Sequence, residues 1–367
     1  MRIAMIGQKR TGSREGGIEV VVGELARRMA AAGHEVTCYD RMGAGAPSEP
    51  YEREGYRVVP VPTWDKGGLA ALSSSFAATR LALRDRHDVL HYHAEGPCVP
   101  LARAKRAGAR CVATVHGLDW QRAKWGGLAS SYIRHGEATA ARHADELIVL
   151  SRSVQDYFRE TYGRETALVP NGIECGDNPP PCEIRDRWGL ERRGYILYLG
   201  RLVPEKRAHS LVEAFRGVPG TKRLVIAGEL IPQNDYHERL AQLARADRRI
   251  TFVGHVSGAA LDELYANAYA YVLPSDVEGM PLSLLEAMSH GCACITSDIP
   301  ECADVLGDCG LTFTAGDFVS LRSALSTVLR DPALAGRLGQ AARKRVLDAY
   351  DWDSVVARTL ALYEGRS

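Results

Sequence analysis

No run of apolar residues approaches the roughly 20 that a bilayer-spanning helix needs, and the first apolar segment, Met1 to Ile6, stops at Gly7. A membrane span is excluded on that ground, and a cytoplasmic location is expected. CxxC pairs are missing too. The nine cysteines, at 38, 98, 111, 175, 182, 292, 294, 302 and 309, are odd in number and mostly lie inside apolar runs, so they read as reduced core residues rather than as a disulfide framework. Histidines and cysteines do not fall at metal-ligand spacing, and no D-x-D triplet stands at a strand end, so no metal is expected. A G-x-G-x-x-G turn is likewise absent. Excess charge is lacking: a net charge of +1 excludes a strongly basic nucleic-acid binder, and no nucleic-acid partner is expected.

What is present is an ordinary globular composition in a chain of 367 residues, long enough for two domains that each bury a core. Arg2–Ile6, Glu35–Tyr39, Tyr56–Val61, Asp88–Tyr92, Arg110–Val115 and Glu146–Leu150 read as short buried strands separated by helices, such as Leu69–Arg84 and Gly127–His143. That alternation predicts a parallel α/β sheet. Asp177-Asn-Pro-Pro-Pro181 is a linker signal, and the boundary is placed near residue 170. The pattern then restarts with strands at Gly194–Leu199, Leu224–Ala227, Ile250–Val253, Ala270–Leu273 and Cys292–Thr296. Residues 1–168 carry 24 Lys/Arg against 19 Asp/Glu, so the first half is the basic one. Its clusters Arg103, Lys105, Arg106 and Arg80, Arg84, Arg86 read either as a contact for anionic lipid or a polyanionic acceptor, or as solvated helix faces.

The stretch from Ser275 to Gly291 reads as a loop entering a helix, with Pro281 at the first helical position and Gly291 past the end. No Ser, Thr, Asp or Asn precedes Pro281, so the N–H groups of Leu282 and Ser283 need another acceptor, and an anion would serve. Pro281, Leu284, Leu285 and Met288 form an apolar stripe, while Ser283, Glu286 and His290 share a polar one. Between Asp276 and Pro300 there is no Lys or Arg, which is unusual for an exposed helix. Glu278 and Glu286 are therefore expected to look into a cleft and to suit neutral hydroxyl ligands. Upstream, Gly200-Arg201-Leu-Val-Pro204-Glu-Lys206 reads as a strand end followed by a helix opening at Pro204. Lys206 and Arg207 in its first turn oppose the helix dipole unless Glu205 neutralises them, so with Arg201 they suggest a diphosphate clamp. In the first half, Gly12, Gly16 and Gly17 let backbone approach a ligand at a helix N-terminus, or are simply structural. His116 ends a strand and precedes the loop Leu118–Gly127, whose Asp119, Trp120, Arg122 and Lys124 mix aromatic and polar groups. That loop reads equally as a sugar platform or as a helix entry packed by Trp120 and Trp125.

Glu278 and Glu286, with Gly279, Ala287, Met288 and Gly291, resemble the E-x7-E signature of retaining glycosyltransferases of family 4. The resemblance extends to Gly16-Gly17, Gly33-His34-Glu35-Val36, Thr114 to Gly117, Pro170-Asn171-Gly172 and Gly200 to Lys206, nearly the whole chain. It implies the GT-B fold: two Rossmann-like, doubly wound parallel-sheet domains facing a central cleft, residues 1–170 for the acceptor and 171–350 for the nucleotide sugar. A last helix, 351–367, would cross back to the first domain. By the same resemblance Arg201 and Lys206 hold the donor's diphosphate, Glu286 the ribose, Glu278 the sugar hydroxyls, and His116 the donor sugar. Gly16, Gly17, Gly279, Met280, Leu282 and Ser283 then line the donor. Asp119, Trp120, Arg122 and Lys124 would face a glycan or lipid-linked acceptor. The implied reaction is retaining hexosyl transfer from a nucleotide diphosphate sugar, with neither metal nor cofactor. The loop after His116 is similar to that of bacterial polysaccharide enzymes described as rhamnosyltransferases. Met280 and Pro281 depart from the family's E-G-F-G, where an aromatic residue and a second glycine are common. Sugar-nucleotide 2-epimerases and non-catalytic GT-B partner subunits are the competing readings.

Overall fold

The computed structural model describes residues 1–14, 16–43, 45, 47–64, 69–121 and 126–366. They form two compact units, residues 1–172 joined by 352–367, and residues 173–351. The first holds the strands β1 (Arg2–Ile6), β2 (Glu35–Arg41), β3 (Tyr51–Arg53), β4 (Tyr56–Val61), β5 (Val89–His93), β6 (Arg110–Val115), β7 (Glu146–Val149) and β8 (Ala167–Leu168). Their order in the sheet is β3-β4-β2-β1-β5-β6-β7-β8. Every pairing is parallel except β3 with β4, an antiparallel edge that the reading of a purely parallel sheet did not include. The reason is local: Glu54 and Gly55, both at positive φ, turn the chain back on itself in two residues.

The second unit holds β9 (Tyr195–Leu199), β10 (Arg223–Ala227), β11 (Ile250–Gly254), β12 (Ala270–Leu273), β13 (Ala293–Ser297) and β14 (Leu311–Phe313), in the order β11-β10-β9-β12-β13-β14 and parallel throughout. Helices cover each sheet. β5, β12 and β13 are buried along their whole length, which is why they appear in the sequence as continuous runs rather than alternating ones. The winding reverses at β1/β5 in the first sheet and at β9/β12 in the second. Crevices outside the carboxyl ends of strands at such points are where ligands collect in this class of sheet.

Six cysteines are buried, as a reduced core requires, but Cys175 and Cys182 are exposed and Cys309 is half-buried, so these three are not core residues. The final helix, Trp352–Tyr363, belongs to the first unit. Trp352 is buried against Gly172, where a Cβ would come within 2.4 Å of the indole. Arg110 donates to the Leu362 carbonyl at 2.7 Å, and Arg28 pairs with Asp353 at 2.7 Å. Among the described residues no helix is long and apolar enough to cross a membrane.

Candidate active site

The loops leaving β9 and β12 carry Arg201, Lys206 and Glu278 to the reversal point of the second sheet. The chain does not enter a helix at Pro204. Pro204–Lys206 is one 3-10 turn, Arg207 sits at φ 54, and the α-helix begins at Ala208. A left-handed arginine is unfavourable unless something holds it. Here Arg207 Nε pairs with Asp276 Oδ2 at 2.5 Å. Lys206 is therefore not a first-turn cation, and among the described residues neither basic residue pairs with Glu205, the neutralisation that the sequence left open. Lys206 instead forms an ion pair with Glu278, whose Oε1 also accepts from Ser275 Oγ at 2.7 Å. Their side chains are 16% and 7% exposed, so the pair is nearly dry and stronger than a surface one. Arg201 is exposed and makes no ion pair among the described residues.

The helix Leu282–Ser289 has Pro281 as its N-cap, one position earlier in role than expected, and no side chain caps it. The Pro281 carbonyl accepts from Leu284 and Leu285, so Leu282 and Ser283 lie ahead of the first intrahelical bond with their N–H groups available to an anion. Leu284, Leu285 and Met288 are fully buried, and Gly279 and Met280 are buried in the loop before them. The polar stripe is neither solvated nor empty. Tyr271 Oη donates to Ser283 Oγ at 2.8 Å, and Tyr265 Oη donates to Glu286 Oε2 at 2.9 Å. Tyr265 stacks on His290 with an interplanar angle of 10°. Burial, then the Glu286 charge, pushes the Tyr265 phenol well above its ordinary range, so it stays a donor. Sequence reasoning passed over Tyr265 because it lies among Leu261 and Leu264 on a core-facing stripe. Tyr265→Phe is expected to weaken nucleotide diphosphate binding by about tenfold, the worth of one hydrogen bond to a charged group. Calorimetric titration checks this, and an unchanged Kd would show that the tyrosine serves only the core.

In the first unit, His116 follows β6 and is half-buried, with its Nε2 3.1 Å from His93 Nδ1 at the end of β5. His93 and His91 occupy alternate positions of one strand face, ring centroids 4.1 Å apart. His91 Nδ1 meets Tyr363 Oη at 2.6 Å, and its Nε2 meets Thr114 Oγ1 at 2.7 Å. Burial pushes His91 down to about 3 and His93 well below the usual imidazole range, so both are neutral at pH 7. Gly7, at φ 126, lets the turn after β1 press on this row: a Cβ there would lie 2.3 Å from the His93 carbonyl oxygen. Polar residues at alternate positions of an otherwise apolar strand were the signal for the pair.

Gly16 is the N-cap of the helix Gly17–Ala31, and its missing Cβ leaves room for the Glu19 carboxylate, which would lie 2.5 Å away. Glu19 also accepts from the Lys9 N–H at 3.0 Å, so the glycine loop is folded onto its own helix. The Asp119 N–H is held by Glu95 at 2.8 Å. Trp120 donates its indole N–H to Glu137 at 3.0 Å, and Arg134 lies 4.1 Å from the ring centroid, the arrangement of a packed helix entry. Arg122, Lys124 and Trp125 lie outside the described residues.

Comparison with known proteins gives the same two-part division. The pattern of Glycosyltransferase Family 4 matches residues 15–177, and that of Glycosyl transferases group 1 matches residues 183–345. A protein named glycogen synthase from Mycobacterium tuberculosis is 32% identical over 99% of this chain and 94% of its own length. A GDP-mannose-dependent alpha-(1-6)-phosphatidylinositol monomannoside mannosyltransferase from Mycolicibacterium smegmatis is 29% identical over 96% of both chains. Among solved structures, Anabaena Alr3699/HepE in complex with UDP and glucose superposes with a TM-score of 0.81 over 100% of both chains at 18% identity, a likeness of fold.

Proposed function

The chain belongs to glycosyltransferase family 4 and is a GT-B enzyme that takes sugar from a nucleotide-sugar donor; from that premise we propose that it moves a hexosyl group to a hydroxyl with retained configuration and without a metal. The observation that carries this reading is the pairing, at one sheet reversal, of an exposed Arg201 with the uncapped helix entered through Pro281. Negative charge grows on the departing diphosphate, and the Arg201 guanidinium with two backbone N–H groups stabilises it where it grows. Lys206 adds a second cation once the diphosphate competes for it with Glu278. Glu286, oriented by Tyr265, takes the ribose diol. Glu278 and His116 take sugar hydroxyls. The acceptor oxygen bonds to the anomeric carbon on the face from which the C–O bond to phosphate breaks, and its proton passes to the leaving phosphate oxygen.

The acceptor is proposed to be a glycan or glycolipid of bacterial polysaccharide synthesis, met by the first unit around Asp119 on the cytoplasmic side of a membrane. In support of a peripheral membrane contact, the helix Ala70–Arg84 exposes Phe76, Arg80 and Arg84 along one face, with Trp64 72% exposed just before it. A thermal-shift panel of UDP, dTDP, GDP and ADP sugars, a rhamnosyl donor included, identifies the nucleotide. A ligand at 100 times its Kd stabilises by about 2.7 kcal/mol. NMR of the product then reads the anomeric configuration. An inverted linkage, a bare C2 epimer, or no shift with any nucleotide sugar would sink the proposal.

A further inference from the structure

We infer that His116 carries its ring proton on Nδ1, and that His93 is the positioning residue that holds it in that tautomer, so that His116 meets its ligand as a hydrogen-bond donor. His93 is fully buried, and its Nε2 has no hydrogen-bond partner. Its Nδ1 lies 3.1 Å from His116 Nε2. A neutral imidazole has one N–H and one lone pair, so two assignments compete. If the proton sat on His93 Nε2, His116 could still donate from its own Nε2 to the His93 Nδ1 lone pair across 3.1 Å, but the buried His93 Nε2–H would have nothing to receive it. With the proton on His93 Nδ1, the bond between the rings is made equally well, and what is left over at Nε2 is an acceptor rather than a donor, the cheaper of the two deficits. His93 therefore donates, His116 Nε2 accepts, and the His116 proton is left on Nδ1.

The row behind His93 keeps this arrangement in place. His91 is anchored at both nitrogens by the hydroxyls of Tyr363 and Thr114, each able to give or take a hydrogen bond, and it packs against His93 with the two rings tilted by 37°. Tyr363 comes from the last helix, so that helix supports the ring row as well as closing the unit. Gly7 presses on the His93 carbonyl from the neighbouring strand. The consequence for the reaction rests on the reading that His116 meets the donor sugar. A histidine donating through Nδ1 orients a sugar oxygen and is not the group that takes the acceptor proton, in keeping with its passage to phosphate.

Long-range 1H–15N spectra of the imidazoles in the labelled wild-type protein test the inference directly, with His116→Gln and His93→Phe used to assign the two rings. The expected result is a His116 Nε2 resonance typical of a lone pair and a protonated Nδ1. A protonated Nε2, or averaging of the two tautomers, overturns it. In His93→Phe, which keeps a ring but loses the donor, His116 should average between tautomers. Turnover should then fall roughly tenfold, the order expected for loss of one orienting hydrogen bond, with nucleotide diphosphate affinity unchanged. His93→Asn, whose amide nitrogen reaches the place of Nδ1, should restore both the spectrum and most of the turnover. An unaltered His116 spectrum in His93→Phe removes the positioning role. If the tautomer is as stated but no nucleotide sugar is turned over, the inference about the rings stands and the transferase reading of this site fails.

Discussion

Lys206→Ala is expected to lower kcat by about 10²–10³ and, separately, to cost the second unit about 3–5 kcal/mol of stability. The first effect follows from charge: a cation beside the leaving diphosphate is worth most in the transition state, where the negative charge on that group is largest. The second follows from burial. With Lys206 gone, the Glu278 carboxylate, 7% exposed, keeps Ser275 Oγ as its hydrogen-bond donor but has lost its counter-charge. The two effects separate by changing both partners. Lys206→Met with Glu278→Gln removes the charges together, so the unfolding transition in urea should return most of the way to the wild-type midpoint while turnover stays low. A single Lys206→Ala variant with a wild-type midpoint would mean that the pair is solvated after all. Turnover within about threefold of wild type, less than 1 kcal/mol of barrier, would remove Lys206 from the donor site.

How far the sequence led can be judged at particular residues. Arg110–Val115 and Ala270–Leu273 were read correctly at both ends, because buried parallel strands are apolar runs bounded by turn residues. The buried stripe Leu284, Leu285, Met288 was legible from helical periodicity alone. Tyr51–Arg53 was not, since a three-residue edge strand has no period to detect. The helix start moved from Pro204 to Ala208 for a non-local reason: the left-handed Arg207 is held by Asp276, 69 residues away. The partner of Lys206 was hidden in the same way. Glu205 is the nearest carboxylate in sequence, but the fold brings Glu278 to Lys206 from 72 residues away. Residue types at the ends of β9 and β12 were thus visible in the sequence, whereas their pairing waited on sheet order, which places β12 beside β9 although two strands and three helices intervene.

That pairing sharpens the division of labour between the two glutamates. Glu286→Gln should raise the Kd for nucleotide diphosphate by about 10–100-fold, because a carboxylate accepting from a ribose diol makes charge-assisted bonds worth about 1.5–3 kcal/mol each. Its Oε2 is already committed to Tyr265, so an amide placed there must turn either its oxygen or its NH2 toward the phenol, and neither choice restores the lost charge. Glu278→Gln should behave oppositely. Lys206 then faces a neutral amide rather than a carboxylate, and its ammonium no longer has to be drawn off a counter-ion when the diphosphate arrives. Nucleotide diphosphate affinity should therefore hold or tighten, while kcat falls by about 10²-fold as a contact to the reacting sugar is lost. Affinity and turnover thus move apart in this variant, which simple loss of folding cannot produce. Calorimetry with the nucleotide diphosphate, beside steady-state rates, separates the cases. If Glu278→Gln lost nucleotide affinity and Glu286→Gln kept it, the donor would lie in the opposite sense, with its ribose at the loop after β12 and its sugar over the helix.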